Sequence, residues 1–145
     1  ERLPQGYATK LPSGALYGEA LLAPTVLCSP VTEALAAGGI VPRYSANITG
    51  HGWRKLMRHP GAFTYRIDTL PEVPEVLRFL QQETGSDARE AYGNLNMGAG
   101  FALFVAPEEA ERTAQIAEAH GVRAYVAGRV EAGRTVALRP AARLQ

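Results

Sequence analysis

The most constraining feature of this sequence is a five-residue apolar run, Phe101–Val105, followed almost at once by a helix signal. The run has the length and composition of a strand that is buried on both faces. Pro107 and the acids Glu108 and Glu109 are typical of a first helical turn, and the apolar stripe that follows ends at His120–Gly121. A buried strand leading into an amphipathic helix predicts a layered domain that contains both.

The rest of the chain repeats this alternation of helix and strand patterns. Helices are predicted from Pro24 to Gly38 with a kink or division at Pro30, at Trp53–Arg58, from Pro74 to Gly85 and at Ser86–Glu90; strands are predicted at Ile40–Ile48, Phe63–Ile67, Ala124–Ala127 and Thr135–Leu138. The last two strands are expected to form a hairpin through Glu131–Arg134. We therefore expect an α+β fold with a mixed sheet.

The chain of 145 residues has the length of about one domain. Residues 1–17 show no sustained periodicity and are predicted to be an arm or linker, with the domain proper at 18–145. Glu19–Ala23 is too short to be expected as a helix. The first residues lack both an initiator Met and a secretory signal pattern, so we expect a piece of a longer protein.

Charge and residue types exclude several classes of function. With 15 basic and 14 acidic residues, the net charge of +1 gives no broad field for nucleic acid, and no apolar run reaches the ~20 residues of a membrane span. Cys28 is the only cysteine, and we expect it to be a small core residue on a helix. The three scattered histidines do not have metal-ligand spacing, so no metal site is predicted.

The first candidate site is a Gly-x-Gly turn between a predicted strand and a predicted helix. Asn47 and Thr49 precede Gly50, His51 and Gly52. Glycines let the backbone approach a ligand closely, and free N–H groups at a helix start favour an anion. A plain turn is the alternative, because the pattern lacks the lysine of a phosphate-binding loop and the third glycine of a dinucleotide fingerprint.

The second candidate site is the polar, glycine-rich approach to the apolar strand, with Asn96, Gly98 and Gly100. It predicts either a binding surface or a β-bulge with a close backbone crossing, and the local sequence does not separate the two. Arg54, Lys55 and Arg58 are predicted to form one basic helical face beside the first turn, a face that is usually solvated. No Ser–His–Asp set can be assigned from spacing, so no catalytic residue is predicted.

These segments together resemble one known family. Gly18–Thr25 is similar to its G-E-x-L-L-x-P-T stretch, Asn47–Gly52 to its H-I-T-G-G-G loop, Leu95–Gly100 to its F-N-M-G-x-G segment, and Ala124–Val130 to its A-x-x-I-G-x-V strand. The family is that of aminoimidazole ribonucleotide synthetase, phosphoribosylformylglycinamidine cyclo-ligase, and the likeness is to its C-terminal domain. It extends from Gly18 to about Val136.

The resemblance implies a three-layer α/β/α domain with partial ferredoxin-like topology. It also implies a separate N-terminal domain that makes most contacts to ATP and Mg²⁺, with the active site in the cleft between the domains. The implied reaction activates the formyl oxygen of formylglycinamidine ribonucleotide with ATP and closes the imidazole ring, in purine synthesis. A nucleotide substrate, a homodimer and a cytoplasmic location are further expectations, and the piece alone is expected to be inactive.

Three positions depart from the family pattern: Asn47 stands for a histidine, His51 for a glycine, and Leu95 for a phenylalanine. The His51 side chain narrows the approach of a phosphate to the backbone and adds a donor. These departures leave open a related ATP-dependent enzyme with another substrate. They also leave open a non-catalytic binding or regulatory module of the same fold, and a general α+β interaction domain.

Overall fold

The computed structural model describes residues 3–138 and confirms an α+β fold. The helices are α1 Tyr17–Leu21, α2 Ser29–Ala37, α3 Glu75–Thr84, α4 Ala88–Asn94 and α5 Ala110–Ala119. The strands are β1 Tyr44–Asn47, β2 Phe63–Ile67, β3 Phe101–Phe104, β4 Gly128–Ala132 and β5 Thr135–Leu138. Short 3₁₀ helices lie at Gly6–Ala8, Gly52–Arg58 and Pro107–Glu109, and the second of these is called the 52–58 helix below.

The described strands form two sheets. β1 and β3 make an antiparallel ribbon in which Tyr44 lies opposite Phe104 and Asn47 opposite Phe101. The second sheet has the order β4-β2-β5, with β4 antiparallel and β5 parallel to the central β2. This sheet is mixed, as the sequence predicted.

The predicted C-terminal hairpin is wrong. None of the residues in the predicted strand Ala124–Ala127 belongs to a strand. β4 begins only at Gly128, after the Ala127 carbonyl accepts the amides of Asp68 and Thr69 just past the end of β2. β4 and β5 lie on opposite sides of β2 and do not pair with each other. Their short connection passes the start of β2, where the Gly133 amide donates to the Ala62 carbonyl at 3.2 Å. Two adjacent strand patterns suggest a local hairpin, and nothing local shows that a remote strand enters between them.

Hydrophobic clusters cover both faces of the β1–β3 ribbon. On one face, Ala102 and Phe104 pack against a buried cluster made of Ala46, Ile48, Trp53, Leu56, Tyr65 and Ile67. On the other, Leu103 and Val105 pack against a cluster made of Val31 and Leu35 from α2, Ile40 just after it, and Ala117 from α5. Both faces of the apolar run are therefore covered, but the residues of β3 are half-buried and not fully buried as the composition of the run predicted.

The first half of the chain differs from the sequence expectation at the start of α2, at Cys28 and in the extent of β1. α2 begins at Ser29 and not at Pro24, because Pro30 lacks an N–H and suits only a first turn. Cys28 consequently occupies the N-cap position, half-buried, and is not on the helix. The strand predicted at Ile40–Ile48 is shorter and comprises only β1. It does not start at Ile40, because the Ile40 amide donates to the Leu35 carbonyl at the end of α2.

The segment before residue 18 packs against α3. Leu11 is buried, and the Ser13 amide and hydroxyl donate to the Glu75 carboxylate at 2.7 and 2.6 Å. α1 forms despite its five residues, so the expectation of no helix there is wrong; Tyr17 at its start packs on the Phe79 ring. The boundary at 18 stays a prediction. No helix within residues 3–138 has the length and hydrophobicity to cross a membrane.

Candidate functional site

The first glycine turn is tight and faces solvent. The Gly52 amide donates to the Thr49 carbonyl at 2.8 Å, and His51 has a left-handed backbone with φ of 76°. The 52–58 helix starts directly after it, with the Arg54 amide bonded to the His51 carbonyl at 3.2 Å. At Gly50 there is open space where a Cβ would stand, and the amides of Gly50 and His51 have no acceptor in the described part of the chain. These two N–H groups are available to an anion.

The second turn is closed by its own asparagine. The Asn96 side-chain oxygen accepts the Gly98 amide at 3.0 Å, and its carbonyl accepts the Ala99 amide at 3.0 Å. Met97, inside the turn, has φ of 46° and is buried. Gly98 has φ of 97° and lies so close to the 71–74 segment that a Cβ would come within 2.5 Å of the Glu72 carbonyl oxygen. Only glycine fits this position without displacing backbone.

The fold joins the two turns side by side. The Trp53 indole N–H donates to the Asn96 carbonyl at 2.9 Å, and the Ile48 amide donates to the Gly100 carbonyl at 2.9 Å. Gly52 is buried against the end of α4, where an added Cβ would lie 2.6 Å from the Leu95 carbonyl oxygen. The sequence predicted both turns; the contact between them is a finding of the structure.

The predicted site residues divide into two groups by exposure. Those open to solvent are Asn47, Thr49, Gly50, His51 and Gly100. Gly52 is buried, and Asn96 and Gly98 are half-buried with their polar groups used in the turn. The first group can meet a ligand directly, while the second holds the shape of the two loops. A role of any of them in ligand binding stays a prediction.

The expectation of one basic face with three cations is wrong. The segment is a 3₁₀ helix, and at about 3.0 residues per turn only positions three apart share a face. Lys55 and Arg58 therefore lie on one side, and the Lys55 ammonium donates to the Thr49 hydroxyl at 2.6 Å. Arg54 instead packs its guanidinium over Gly93 of α4.

Lys55 and Arg58 line a groove of about 200 Å³ beside β1, together with Tyr44, Ser45, Ala46 and Asn47. Sequence reasoning did not place Ser45 in a site, and no local signal identifies it, because its place in the groove depends on how the 52–58 helix packs beside β1. A larger groove of about 410 Å³ lies along the end of α3, lined by Arg78, Gln81, Gln82, Gly85 and Ser86. The smaller groove concentrates more positive charge and adjoins the first glycine turn.

The ionisable groups with shifted pKa values do not include a general base for the site. Burial raises the pKa of Tyr92, whose ring packs edge-on against Trp53, so the phenol stays protonated. Hydrogen bonds from the Arg66 guanidinium, at 3.0 Å, hold the pKa of Glu131 below its ordinary value. An ionised, doubly paired carboxylate is a poor general base. No three His, Cys, Asp or Glu side chains within residues 3–138 converge as metal ligands.

This fold and site define a class: an α+β domain in which two glycine turns, held together by an indole–carbonyl bond, present free amides beside a basic groove. A profile of the family described as AIR synthase related protein, C-terminal domain, matches residues 57–140. The match covers more than half of the sequence, and the chain belongs to this family.

Similar proteins agree with this assignment. The chain is 36% identical over 124 residues to a phosphoribosylformylglycinamidine cyclo-ligase of Methanococcus maripaludis, a match covering 85% of this chain and 35% of that protein. It is also 36% identical over 121 residues to the cyclo-ligase of Bacillus licheniformis, covering 80% and 34%. The crystal structure of tt0281 from Thermus thermophilus matches with a TM-score of 0.51 and 27% identity, over 77% of this chain and 35% of that one. The chain thus spans about a third of the length of these relatives.

Proposed function

We propose that the chain is the substrate-side, C-terminal domain of an ATP-dependent cyclo-ligase that forms aminoimidazole ribonucleotide from formylglycinamidine ribonucleotide. The proposal is supported by the two cyclo-ligases named above, whose matches cover 85% and 80% of the chain. Its N-terminal partner would be a nucleotide-binding domain, and its location cytoplasmic. The three-layer α/β/α arrangement is part of the proposal, and the cluster from α2 and α5 on one face of the β1–β3 ribbon supports one of its two helical layers.

The observation that carries the proposal is the pair of unbonded amides at Gly50 and His51, with open space in front of Gly50. Phosphoryl transfer demands mainly positioning and neutralisation of charge on the phosphoryl oxygens. Backbone N–H groups held by a rigid turn supply both, because they need no reorganisation as charge develops. The Lys55 ammonium, fixed on the Thr49 hydroxyl, adds a positive charge at the edge of the turn.

ATP fits this donor set and Mg²⁺ does not. Free amides and a neighbouring ammonium bind phosphoryl oxygens, and when bound the ATP supplies the phosphoryl group that activates the formyl oxygen. Mg²⁺ prefers carboxylate oxygens in octahedral geometry, and neither glycine turn contains an Asp or a Glu. In this proposal the residues of this domain hold and orient the phosphoryl end of ATP, and they do not coordinate Mg²⁺.

A chimera tests the function. The segment of the Methanococcus maripaludis cyclo-ligase that matches this chain is replaced by the chain itself, and ATP-dependent formation of aminoimidazole ribonucleotide is measured. We expect turnover well above a mock preparation. A chimera that melts cooperatively yet forms no product contradicts the proposed function.

Gly50→Asp in the same chimera tests the turn. A carboxylate in the open space before Gly50 repels a phosphoryl group, so kcat/KM should fall at least about tenfold. Gly50→Asn has nearly the same volume without the charge and is the matched control. Equal losses in both variants would mean that volume and not charge matters there, against the anion role of the turn.

A further inference from the structure

The free edge of β1 borders the basic groove. β3 pairs with only one edge of β1, in a two-stranded ribbon. The bond from the Ile48 amide to the Gly100 carbonyl fixes the antiparallel pattern, in which alternate residues bond to the partner strand. Tyr44 and Ala46 therefore direct their amides and carbonyls to β3. Those of Ser45 and Asn47 point to the opposite edge, where they have no partner in the described part of the chain.

The 52–58 helix supplies two cations at this edge. Lys55 and Arg58 line the groove with residues 44–47 of β1, and Arg58 has no hydrogen bond or ion pair to a described residue. The groove therefore combines two amide donors about 7 Å apart along the strand with two positive side chains. It also contains two carbonyl acceptors, those of Ser45 and Asn47. Such a mixture of donors, cations and acceptors suits a ligand with an anionic end and hydroxyl groups.

The volume of the groove limits the size of the ligand that it can hold. Its volume of about 200 Å³ is smaller than the ~300–1,000 Å³ of pockets that take drug-sized molecules. A phosphate monoester with a sugar ring is of the right size, whereas a whole nucleoside triphosphate is too large. In such a ligand the phosphate accepts from amides and cations, and the hydroxyls donate to the carbonyls.

We propose that this groove, between the free edge of β1 and the Lys55–Arg58 face, binds the sugar-phosphate end of the substrate. The inference rests on the proposed function, since it assigns one end of the nucleotide substrate. The proposal assigns the two phosphate groups of the reaction to two different places. The Gly50–His51 amides meet the phosphoryl group that is transferred, and the groove holds the phosphate monoester that is not. Lys55 lies between them through its bond to Thr49.

Binding is tested by NMR titration of the 145-residue chain with ribose 5-phosphate, inorganic phosphate and ribose. We expect ribose 5-phosphate to shift the amides of Ser45 and Asn47, inorganic phosphate to shift them more weakly, and ribose not at all. Arg58→Gln should weaken ribose 5-phosphate about tenfold, the lower range for a charge-assisted hydrogen bond. Arg54→Gln changes the net charge equally on another face and should leave the dissociation constant within about twofold.

Several results would overturn this inference. Shifts confined to residues 50 and 51, or an equal effect of both arginine variants, would mean that the groove is not the site. Concentration-dependent protection of the Ser45 and Asn47 amides without ligand would instead mean that a second chain pairs with the β1 edge.

Turnover measurements distinguish a failure of the groove proposal from a failure of the proposed function. In the active chimera, Arg58→Gln should raise KM for the nucleotide substrate about tenfold and leave kcat within about twofold, because a monoester held equally before and during reaction contributes uniform binding. An active chimera whose KM is unchanged by Arg58→Gln refutes the groove and leaves the proposed function standing. An inactive wild-type chimera contradicts the proposed function. In that case the NMR titration of the chain alone decides whether the groove binds a sugar phosphate.

Discussion

Replacing Gly52 by alanine should destabilise the domain strongly, whereas the same change at Gly50 should not. The two residues are two positions apart in one turn, but their surroundings differ. Gly52 has φ of +49° and lies against α4, where a Cβ would come within 2.6 Å of the Leu95 carbonyl oxygen and nearer still to that of Tyr92. Both obstacles are backbone atoms, which cannot rotate away. Gly50 faces open space and its φ is outside the left-handed region.

The expected magnitude follows from two costs. A left-handed backbone costs alanine about 1–2 kcal/mol relative to glycine. Overpacking against fixed atoms adds about 1–3 kcal/mol. The lower conformational entropy of unfolded alanine offsets about 0.5–1 kcal/mol of this sum. Gly52→Ala should therefore lower the free energy of unfolding by about 2–4 kcal/mol, which for this chain length corresponds to roughly 5–15 °C in Tm.

Urea denaturation followed by far-UV circular dichroism measures both variants against the wild type. Gly50→Ala should stay within about 0.5 kcal/mol of it, as is usual for surface changes. Trp53, the only tryptophan, gives a second signal, because its indole joins the two turns. A Gly52→Ala variant that unfolds within about 1 kcal/mol of Gly50→Ala would refute the close approach of the turn to α4.

Three further variants and one assay test other parts of the structure. Trp53→Phe keeps an aromatic ring but removes the donor to Asn96, and should cost about 1 kcal/mol in urea denaturation. Hydrogen bonds from Arg66 lower the folded-state pKa of Glu131, so its stabilisation is present above the unfolded pKa and lost as pH falls through the folded one. The wild type should therefore lose more stability between about pH 5 and 3 than Glu131→Gln does. Asp87→Ala removes the cap of α4 and should cost about 1 kcal/mol in thermal unfolding. The isolated chain should hydrolyse no ATP above a mock preparation in a phosphate-release assay.

Local signals in the sequence predicted those elements whose ends are determined locally. α3 runs from Glu75 to Thr84, between the proline and the glycine that predicted its ends. The start of α4 was predicted, since Asp87 accepts the Glu90 amide at 2.8 Å in a full capping box, but the helix continues to Asn94 and not only to the predicted Glu90. β2 has the bounds that its pattern gave. In each case the determining residues lie within a few positions of the element, where propensity and capping act.

The order of strands could not be predicted in the same way. β2 lies between β4 and β5, and its buried hydrophobic residues, Tyr65 and Ile67, belong to the cluster under the ribbon. More than sixty positions separate Tyr65 from its partner Val130. The periodicity of neither segment predicts that pairing. The division of the basic residues was missed for a related reason, since a short pattern does not distinguish a 3₁₀ helix from an α-helix.

The candidate site shows the same limit at the level of single glycines. Gly50 and Gly100 face open space, while Gly52 and Gly98 meet backbone carbonyls from segments remote in sequence. A ligand can approach the first pair, and the fold needs the second, although the local patterns are alike. His51 lies between Gly50 and Gly52 with a left-handed backbone, which histidine tolerates better than most residues. The turn can thus keep its shape without the glycine of the family pattern there, and the substitution adds a solvent-exposed residue beside the free amides of Gly50 and His51.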